Sequence, residues 1–367
     1  MTNPESLVGC TPDALDTPSL LVDLDVMETN VARIAGFCAQ HGVAWRPHCK
    51  PHKSPDVARL EIAAGAIGIT CAKLSEAEAM ADAGIADILI ANQIAGPIKV
   101  ARLIGLRKRV DVAVCVDGED NVQALADEAA RENVVLRVLI EVDTGTRRAG
   151  VQPGEPVLQL ARIIAGHPSL HFAGVMTWEG HTTRIEDQDE KRGAIEEAVG
   201  QLVASADLCR AAGIPVGIVS CGGTGTYRFS AAIPGVTEIQ AGGGIFGDVR
   251  YRTIYNVPVE YGLTLLSTVT SRPNPTRVIC DAGKKAMSSD AGMPIPLDIP
   301  PVASLGFSAE HGKIELREPS SLPRVGDRMR FVVGYADTTV HLHSEIFAIR
   351  HGRVEQVWRI PSGARLR

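Results

Sequence analysis

The chain has 367 residues, 45% of them hydrophobic and 4% aromatic, with a formal net charge of −6. That length exceeds what one core usually supports, so one large and one smaller domain are expected. The mild negative charge gives no case for nucleic acid or an anionic membrane as a partner. No apolar run reaches bilayer-spanning length, and the first residues, Met1-Thr2-Asn3-Pro4-Glu5-Ser6, lack the pattern of a signal peptide. The eight cysteines are scattered without a CxxC pair, so neither a disulfide framework nor a structural zinc site is indicated. The chain reads as a soluble protein of a reducing, cytoplasmic compartment.

In chain order, Leu20-Leu21-Val22 is the first strand candidate, and Val43-Ala44-Trp45 reads as the end of a short buried strand. It runs into Arg46-Pro47-His48-Cys49-Lys50-Pro51-His52-Lys53-Ser54, where Pro47 and Pro51 forbid a continuing ladder or an immediate helix. A lysine on such an exit, among other cations, has its free amine favoured, the condition for bonding an aldehyde such as pyridoxal 5′-phosphate. Further strand candidates are 67–70, 88–91, 110–114, 135–140, 172–176, 216–219 and 237–240. Ser75-Glu76-Ala77-Glu78 predicts a capping box opening a helix that stops near Gly84. Residues 121–131 and 194–212 repeat apolar positions at helical spacing. Some eight such repeats predict an α/β fold, a (β/α)8 TIM-type barrel over 19–256 rather than an open sheet. From 257 to 367, strand-like runs at 264–270, 277–280, 328–333 and 346–349 are separated by Gly and Pro turns, which predicts a C-terminal β-rich domain. Whether residues 1–18 and the first strand join that domain is left open by the pattern.

Barrel enzymes work at the carboxyl ends of their strands. The strand ending at Val219 runs into Ser220-Cys221-Gly222-Gly223-Thr224-Gly225-Thr226-Tyr227, whose glycines let amide groups turn inward while hydroxyls add donors. This is a cradle for a phosphate dianion. The next strand ends similarly, in Gln240-Ala241-Gly242-Gly243-Gly244.

As a set, the Arg46-Pro47-His48 to Lys53 run, Cys71-Ala72-Lys73-Leu74-Ser75-Glu76, Gly222 to Tyr227, Asp281-Ala282-Gly283 with Lys285-Ala286, and Glu310-His311-Gly312 resemble the D-threonine aldolase and D-serine dehydratase family. Those are fold type III pyridoxal-phosphate enzymes with an alanine racemase-like barrel, and the resemblance covers nearly the whole chain. It implies that Lys50 bears the cofactor, that His48 shapes the pocket beside it, and that Lys53 is structural. It further implies cofactor contacts from Ser220, Gly223, Thr224, Gly225, Thr226, Tyr227, Gly242, Gly243 and Gly244, the last three standing where the family has Gly-Ser-Tyr. Arg148 falls where related barrels place an arginine near the cofactor phenolate, and Arg147 could exchange roles with it. Gln240 falls where alanine racemase aims an arginine at the pyridine nitrogen. Trp178 would lie beside the cofactor face, and His181 is an acid–base candidate.

The family binds a divalent metal in the stretch corresponding to Gly334 to His343. This chain keeps Asp337 and Thr339-Val340-x-Leu342-His343 but has Tyr335 in place of the histidine, and Ser344 where an aspartate is common. Read as a strand, 335 and 337 share a face, and His341 and His343 lie on it too. A phenol is a poor ligand for Mg²⁺, Mn²⁺ or Zn²⁺ unless ionised. Tyr335 with Asp337 is therefore either a weak metal site or a base for the substrate's β-hydroxyl. The preferred reading is a homodimeric lyase that cleaves a D-β-hydroxy-α-amino acid to glycine and an aldehyde, with no nucleic acid or membrane partner. The alternatives are a dehydratase giving a 2-oxo acid and ammonia, an amino-acid racemase, a non-catalytic cofactor-binding protein, and a phosphate-binding barrel enzyme without pyridoxal phosphate.

Overall fold

The computed structural model describes residues 4–363. The described residues divide into two compact units: one gathers Ala32–Lys50 and Val57–Gly242, the other 4–31, 51–56 and 243–363. No described helix is long and apolar enough to cross a membrane.

The first of these units holds eight parallel strands: β2 (Ala44–Trp45), β3 (Ile69–Cys71), β4 (Asp87–Gln93), β5 (Asp111–Val116), β6 (Leu136–Glu141), β7 (Leu170–Met176), β8 (Ile218–Cys221) and β9 (Glu238–Ile239). They pair in the order β2-β9-β8-β7-β6-β5-β4-β3. A single parallel bridge, His48 with Thr70, joins the two ends of that order and closes the barrel. Alternate positions share one face, so Leu89, Ala113, Cys115, Leu139, Ala173 and Met176 form one buried cluster. Helices α1 (Leu24–Gln40) to α8 (Tyr227–Ser230) alternate with the strands: α2 Pro55–Ala63, α3 Leu74–Asp82, α4 Pro97–Arg107, α5 Glu119–Arg131, α6 Glu155–Ala165 and α7 Gln188–Ala211.

Two helix starts differ from the sequence reading. The α3 helix opens at Leu74, before Ser75, because Glu76 reaches back to accept the amides of Ala72 (2.7 Å) and Lys73 (3.1 Å). The α7 helix begins at Gln188, well ahead of 194, because Asp187 caps it by accepting from the Asp189 and Glu190 amides at 3.0 and 2.8 Å.

A charge belt, buried at Arg46 and Glu238 and open to solvent at Asp87 and Asp111, stands near the amino ends of the strands. Arg46 is 3% exposed and lies 2.9 Å from both Glu238 and Asp87, while Arg137 joins Asp87 (2.9 Å) and Asp111 (3.2 Å). Gly68 has to be glycine here: an added Cβ would fall 2.4 Å from the Asp87 carbonyl and 2.5 Å from the Arg46 guanidinium.

The other unit is a nine-stranded, mostly antiparallel sheet of β1 (Ser19–Asp23), β10 (Leu263–Asn274), β11 (Arg277–Cys280), β12 (Ile295–Leu297), β13 (Val302–Phe307), β14 (Gly312–Leu316), β15 (Arg328–Val332), β16 (Glu345–Arg350) and β17 (Arg353–Arg359). The sequence reading ran the barrel from 19 to 256. In the structure β1 instead pairs antiparallel with β10 and parallel with β16, and Leu21 packs with Leu266 and Phe347. An apolar run of this kind suits a buried strand of either sheet, so pairing alone decides its membership. The Asp281 motif anchors this sheet, accepting from the Thr268 amide (2.9 Å) and the Ser267 hydroxyl (2.7 Å). Lys285 pairs with Glu310 at 2.6 Å.

All eight cysteines are free, although the buried Cys49 and Cys71 sulfurs lie 3.5 Å apart across the closing seam. The contact with Cys71 first, then burial, pushes the Cys49 thiol well above its usual pKa, which favours the protonated form. Arg46→Ala would strand Glu238, 2% exposed, without its cation. It is expected to cost about 3–5 kcal/mol in urea unfolding, and a loss below about 1 kcal/mol would show that the belt does not stabilise the barrel.

Candidate active site

Lys50 leaves the barrel at the seam. The His48 amide donates to the Gln240 carbonyl (3.1 Å), Thr70 N–H donates to the Pro47 carbonyl (2.8 Å), and Cys49 N–H donates to the Thr70 carbonyl (2.8 Å). The lysine is therefore carried by backbone bonded on both sides, and its own amide is held by His48 Nδ1 at 3.2 Å. Gly242 packs so closely that a Cβ would fall 2.2 Å from the His48 carbonyl. The Gln240 amide in turn donates to the Cys221 and Gly222 carbonyls, both at 3.0 Å. The lysine exit, the second glycine run and the first glycine run thus form one hydrogen-bonded sequence across three strand ends.

The 222–227 turn is organised from below by Glu179, a residue sequence reasoning passed over between Trp178 and His181. Its fully buried carboxylate accepts from the Ser230 hydroxyl (2.6 Å), the Thr226 hydroxyl (2.7 Å) and the Gly222 amide (3.3 Å). Trp178 packs against the turn, and a Cβ at Gly223 would fall 2.3 Å from its ring. Two candidate side chains point elsewhere. The Thr226 hydroxyl gives its proton to Glu179, and the Tyr227 ring is buried edge-on against Phe37 of α1, centroids 5.3 Å apart. What the turn can offer an anion is backbone, and the buried Gly225 N–H finds no acceptor among the described residues.

Ser220 donates to Glu238 (2.8 Å) and so must receive the 2.9 Å bond from Gln240 Nε2. The amide of Gln240 is thereby oriented with its nitrogen toward Ser220, through a chain that ends on Arg46. Arg148 is exposed, its side chain 58% accessible, and pairs at 3.2 Å with buried Glu141, which also accepts from Gln93 at 2.6 Å. His181 sits exposed on a short turn, its Nδ1 3.5 Å from the Thr146 hydroxyl. With Asp143, Arg147 and Glu197 it lines a cavity of about 490 Å³.

Gly243, Gly244, Tyr335 and Asp337 belong to the sheet unit. The strand expected over 334–343 is instead a short helix, α9 (Ala336–Val340), with Tyr335 at its N-cap. Alternation therefore does not apply, and His343 leaves the Asp337 side chain. His343 turns to the Ala286 carbonyl at 2.7 Å. The Tyr335 hydroxyl donates to Asp337 at 2.7 Å and the Tyr251 hydroxyl approaches it at 3.5 Å, while the Arg250 guanidinium stacks 4.5 Å over the Tyr335 ring. Burial first, then the Asp337 charge, raises both phenols above their ordinary range. Two proton-donating phenols around one carboxylate, with an arginine stacked on one of them, do not make a divalent-cation site. Tyr251 also explains Gly243, where a Cβ would fall 2.2 Å from its hydroxyl.

The alanine racemase N-terminal domain model matches residues 22–250 and a serine dehydratase domain model matches 262–349. The chain is 33% identical over 365 residues to a 3-hydroxy-D-aspartate aldolase of Paracoccus denitrificans, covering 97% of this chain and 94% of that one. It is 36% identical over 282 residues to a D-threo-3-hydroxyaspartate dehydratase of a Delftia species, covering 76% and 74%. Among solved structures, a D-threonine aldolase from Filomicrobium marinum superposes with a TM-score of 0.93 at 32% identity, covering 97% of this chain and 98% of that one.

Asp248, in the sheet unit, is fully buried and accepts the amides of Ala336 (2.7 Å) and Tyr251 (2.8 Å). Burial outweighs those two donors and pushes its carboxyl from 3.8 up to about 8. The folded chain thus keeps a proton that the unfolded chain releases. The stability this contributes is full below about pH 4 and is lost as pH rises toward about 8. Asp248→Asn, which cannot ionise, should flatten the fall of unfolding free energy across that window in urea titrations, and an unchanged slope would refute the assignment.

Proposed function

Because this chain belongs to the D-threonine aldolase and D-serine dehydratase family of fold type III pyridoxal-phosphate enzymes, we propose that it cleaves the Cα–Cβ bond of a D-configured β-hydroxy-α-amino acid to glycine and an aldehyde. It is an enzyme of the lyase class. The observation that supports the reading most is the hydrogen-bonded continuity from Lys50 through His48 and Gln240 to Gly222 of the 222–227 turn, with Gly242 packed closely on His48.

The residues fit pyridoxal phosphate. The buried Gly225 N–H suits a phosphate oxygen, and bare backbone at Gly223 and Gly242 is too closely packed to accept a side chain. Lys50 would hold the aldehyde carbon, and Arg148, steadied by Glu141, would supply a cation near the phenolate. Gln240, oriented by Ser220, would meet the ring nitrogen, and Trp178 would cover a face. When bound, the cofactor supplies the sink for the electron pair released as Cα–Cβ breaks.

The protein's part is to take the β-hydroxyl proton and to return a proton to Cα. Asp337 with Tyr335 is our candidate for the first, a carboxylate whose phenol partner can share the proton. Lys50 and His181 are candidates for the second. Since the Asp337 donor set suits protons rather than a cation, no step is routed through a metal. The homodimer implied by the resemblance and the cytoplasmic setting read from composition belong to this proposal, and light scattering at twice the chain mass would bear out the first.

Purified protein given pyridoxal phosphate and D-threonine should release acetaldehyde and glycine, whereas 2-oxobutanoate and ammonia would establish the dehydratase instead. Lys50→Ala should lower turnover by roughly three orders of magnitude and abolish borohydride-fixed cofactor. Asp337→Ala should abolish turnover, and EDTA should leave the native activity unchanged. Loss with EDTA and return with Mn²⁺ would assign a cation after all.

A further inference from the structure

Glu179 is a carboxylate with no exposure and, among the described residues, no ion pair. Burying such a group is costly unless hydrogen bonds replace its water. Three do, and all three partners are donors: two hydroxyls, from Thr226 and Ser230, on Oε1, and the Gly222 amide on Oε2. Thr226 passes the constraint on. Having given its only proton to Glu179, its hydroxyl can only accept, and it takes the Gly223 N–H at 3.1 Å. The amides of Thr226 and Tyr227 then fold back onto the Gly223 carbonyl at 3.0 and 2.9 Å. One buried charge therefore sets the peptide planes at 222 and 223 directly or through a single hydroxyl, and the amides at 226 and 227 close on the result. The buried Gly225 N–H, at the apex, is left without a protein acceptor among the described residues.

We propose that Glu179 is a positioning residue for the cofactor's phosphate. It does not touch the anion. It commits the lower amides of the turn to itself and to Thr226, so that the apex amide is presented to a phosphate oxygen. This rests on the proposed function, in which the 222–227 turn takes the phosphate of pyridoxal phosphate. A glutamine cannot substitute, because its NH2 would face one of three donors and push it away.

The test compares pyridoxal phosphate with pyridoxal, which lacks the phosphate, in absorbance titrations of the full-length protein freed of cofactor. The native protein should bind pyridoxal phosphate more tightly. Glu179→Gln should lose about tenfold or more of that affinity while its affinity for pyridoxal stays within about twofold of native. Inorganic phosphate should raise the melting temperature of the native protein and not that of the variant. Ser230→Ala removes one donor from outside the turn and should give a smaller loss in the same direction. If Glu179→Gln does not fold, this variant decides.

Native-like binding of pyridoxal phosphate by the variants, or a parallel loss for both ligands, would overturn the proposal. A native protein that does not distinguish the two ligands would instead overturn the phosphate cradle itself.

Discussion

The His48–Thr70 bridge is the bond on which the arrangement of the barrel depends. The pairing order of the eight strands begins at β2 and ends at β3, and this bridge, with the Ile67 amide on the Trp45 carbonyl at 2.9 Å, turns that order into a ring. It also determines where Lys50 stands. Pro47 has no N–H to give, so its carbonyl takes the Thr70 amide, and the next two residues donate in opposite directions, His48 to Gln240 and Cys49 to Thr70. Pro51 cannot extend the ladder. Cys49 is thus the last residue of this exit held in the ladder, and Lys50 follows it with its amide on His48 Nδ1.

Around that seam the barrel solves the same problem repeatedly with buried carboxylates. Glu238 takes Arg46 and Ser220, Glu141 takes Gln93 and Arg148, Glu76 takes two amides at the start of α3, and Glu179 takes two hydroxyls and an amide. A carboxylate is acceptor-only, so each one imposes direction on every group it meets. Those directions propagate to the groups proposed to face the cofactor: the Gln240 amide through Ser220, the Arg148 guanidinium through Glu141, the apex of the glycine turn through Thr226. The charges that stabilise the interior and the orientations the chemistry requires are the same interactions.

The sheet unit shows how one substitution changes the character of a site. With Tyr335 standing where relatives by resemblance carry a histidine, Asp337 has a phenol at 2.7 Å and a second at 3.5 Å, and Arg250 stacked on the first. The environment favours neutral phenols beside a carboxylate, an arrangement that stores and shares protons. A histidine at 335 would offer a lone pair to a cation instead.

The sequence by itself determined the fold class and pointed to Lys50 as the candidate chemical centre. Apolar runs at the strand period, helices between them, and prolines bracketing Lys50 are consequences of neighbours a few residues apart. So are two glycine-rich strand exits. Such local patterns also carried the resemblance that the family matches bear out. Only the tertiary structure decided the sheet to which Ser19–Asp23 belongs, since a buried apolar strand reads alike in either sheet. It alone turned 336–340 into a helix and dissolved the alternation expected of Tyr335 and Asp337. It alone gave Glu179 its role. That carboxylate meets Gly222, Thr226 and Ser230 across separations of 43, 47 and 51 residues. No local pattern marks such an encounter, because what makes a buried charge tolerable is the set of donors that folding brings to it.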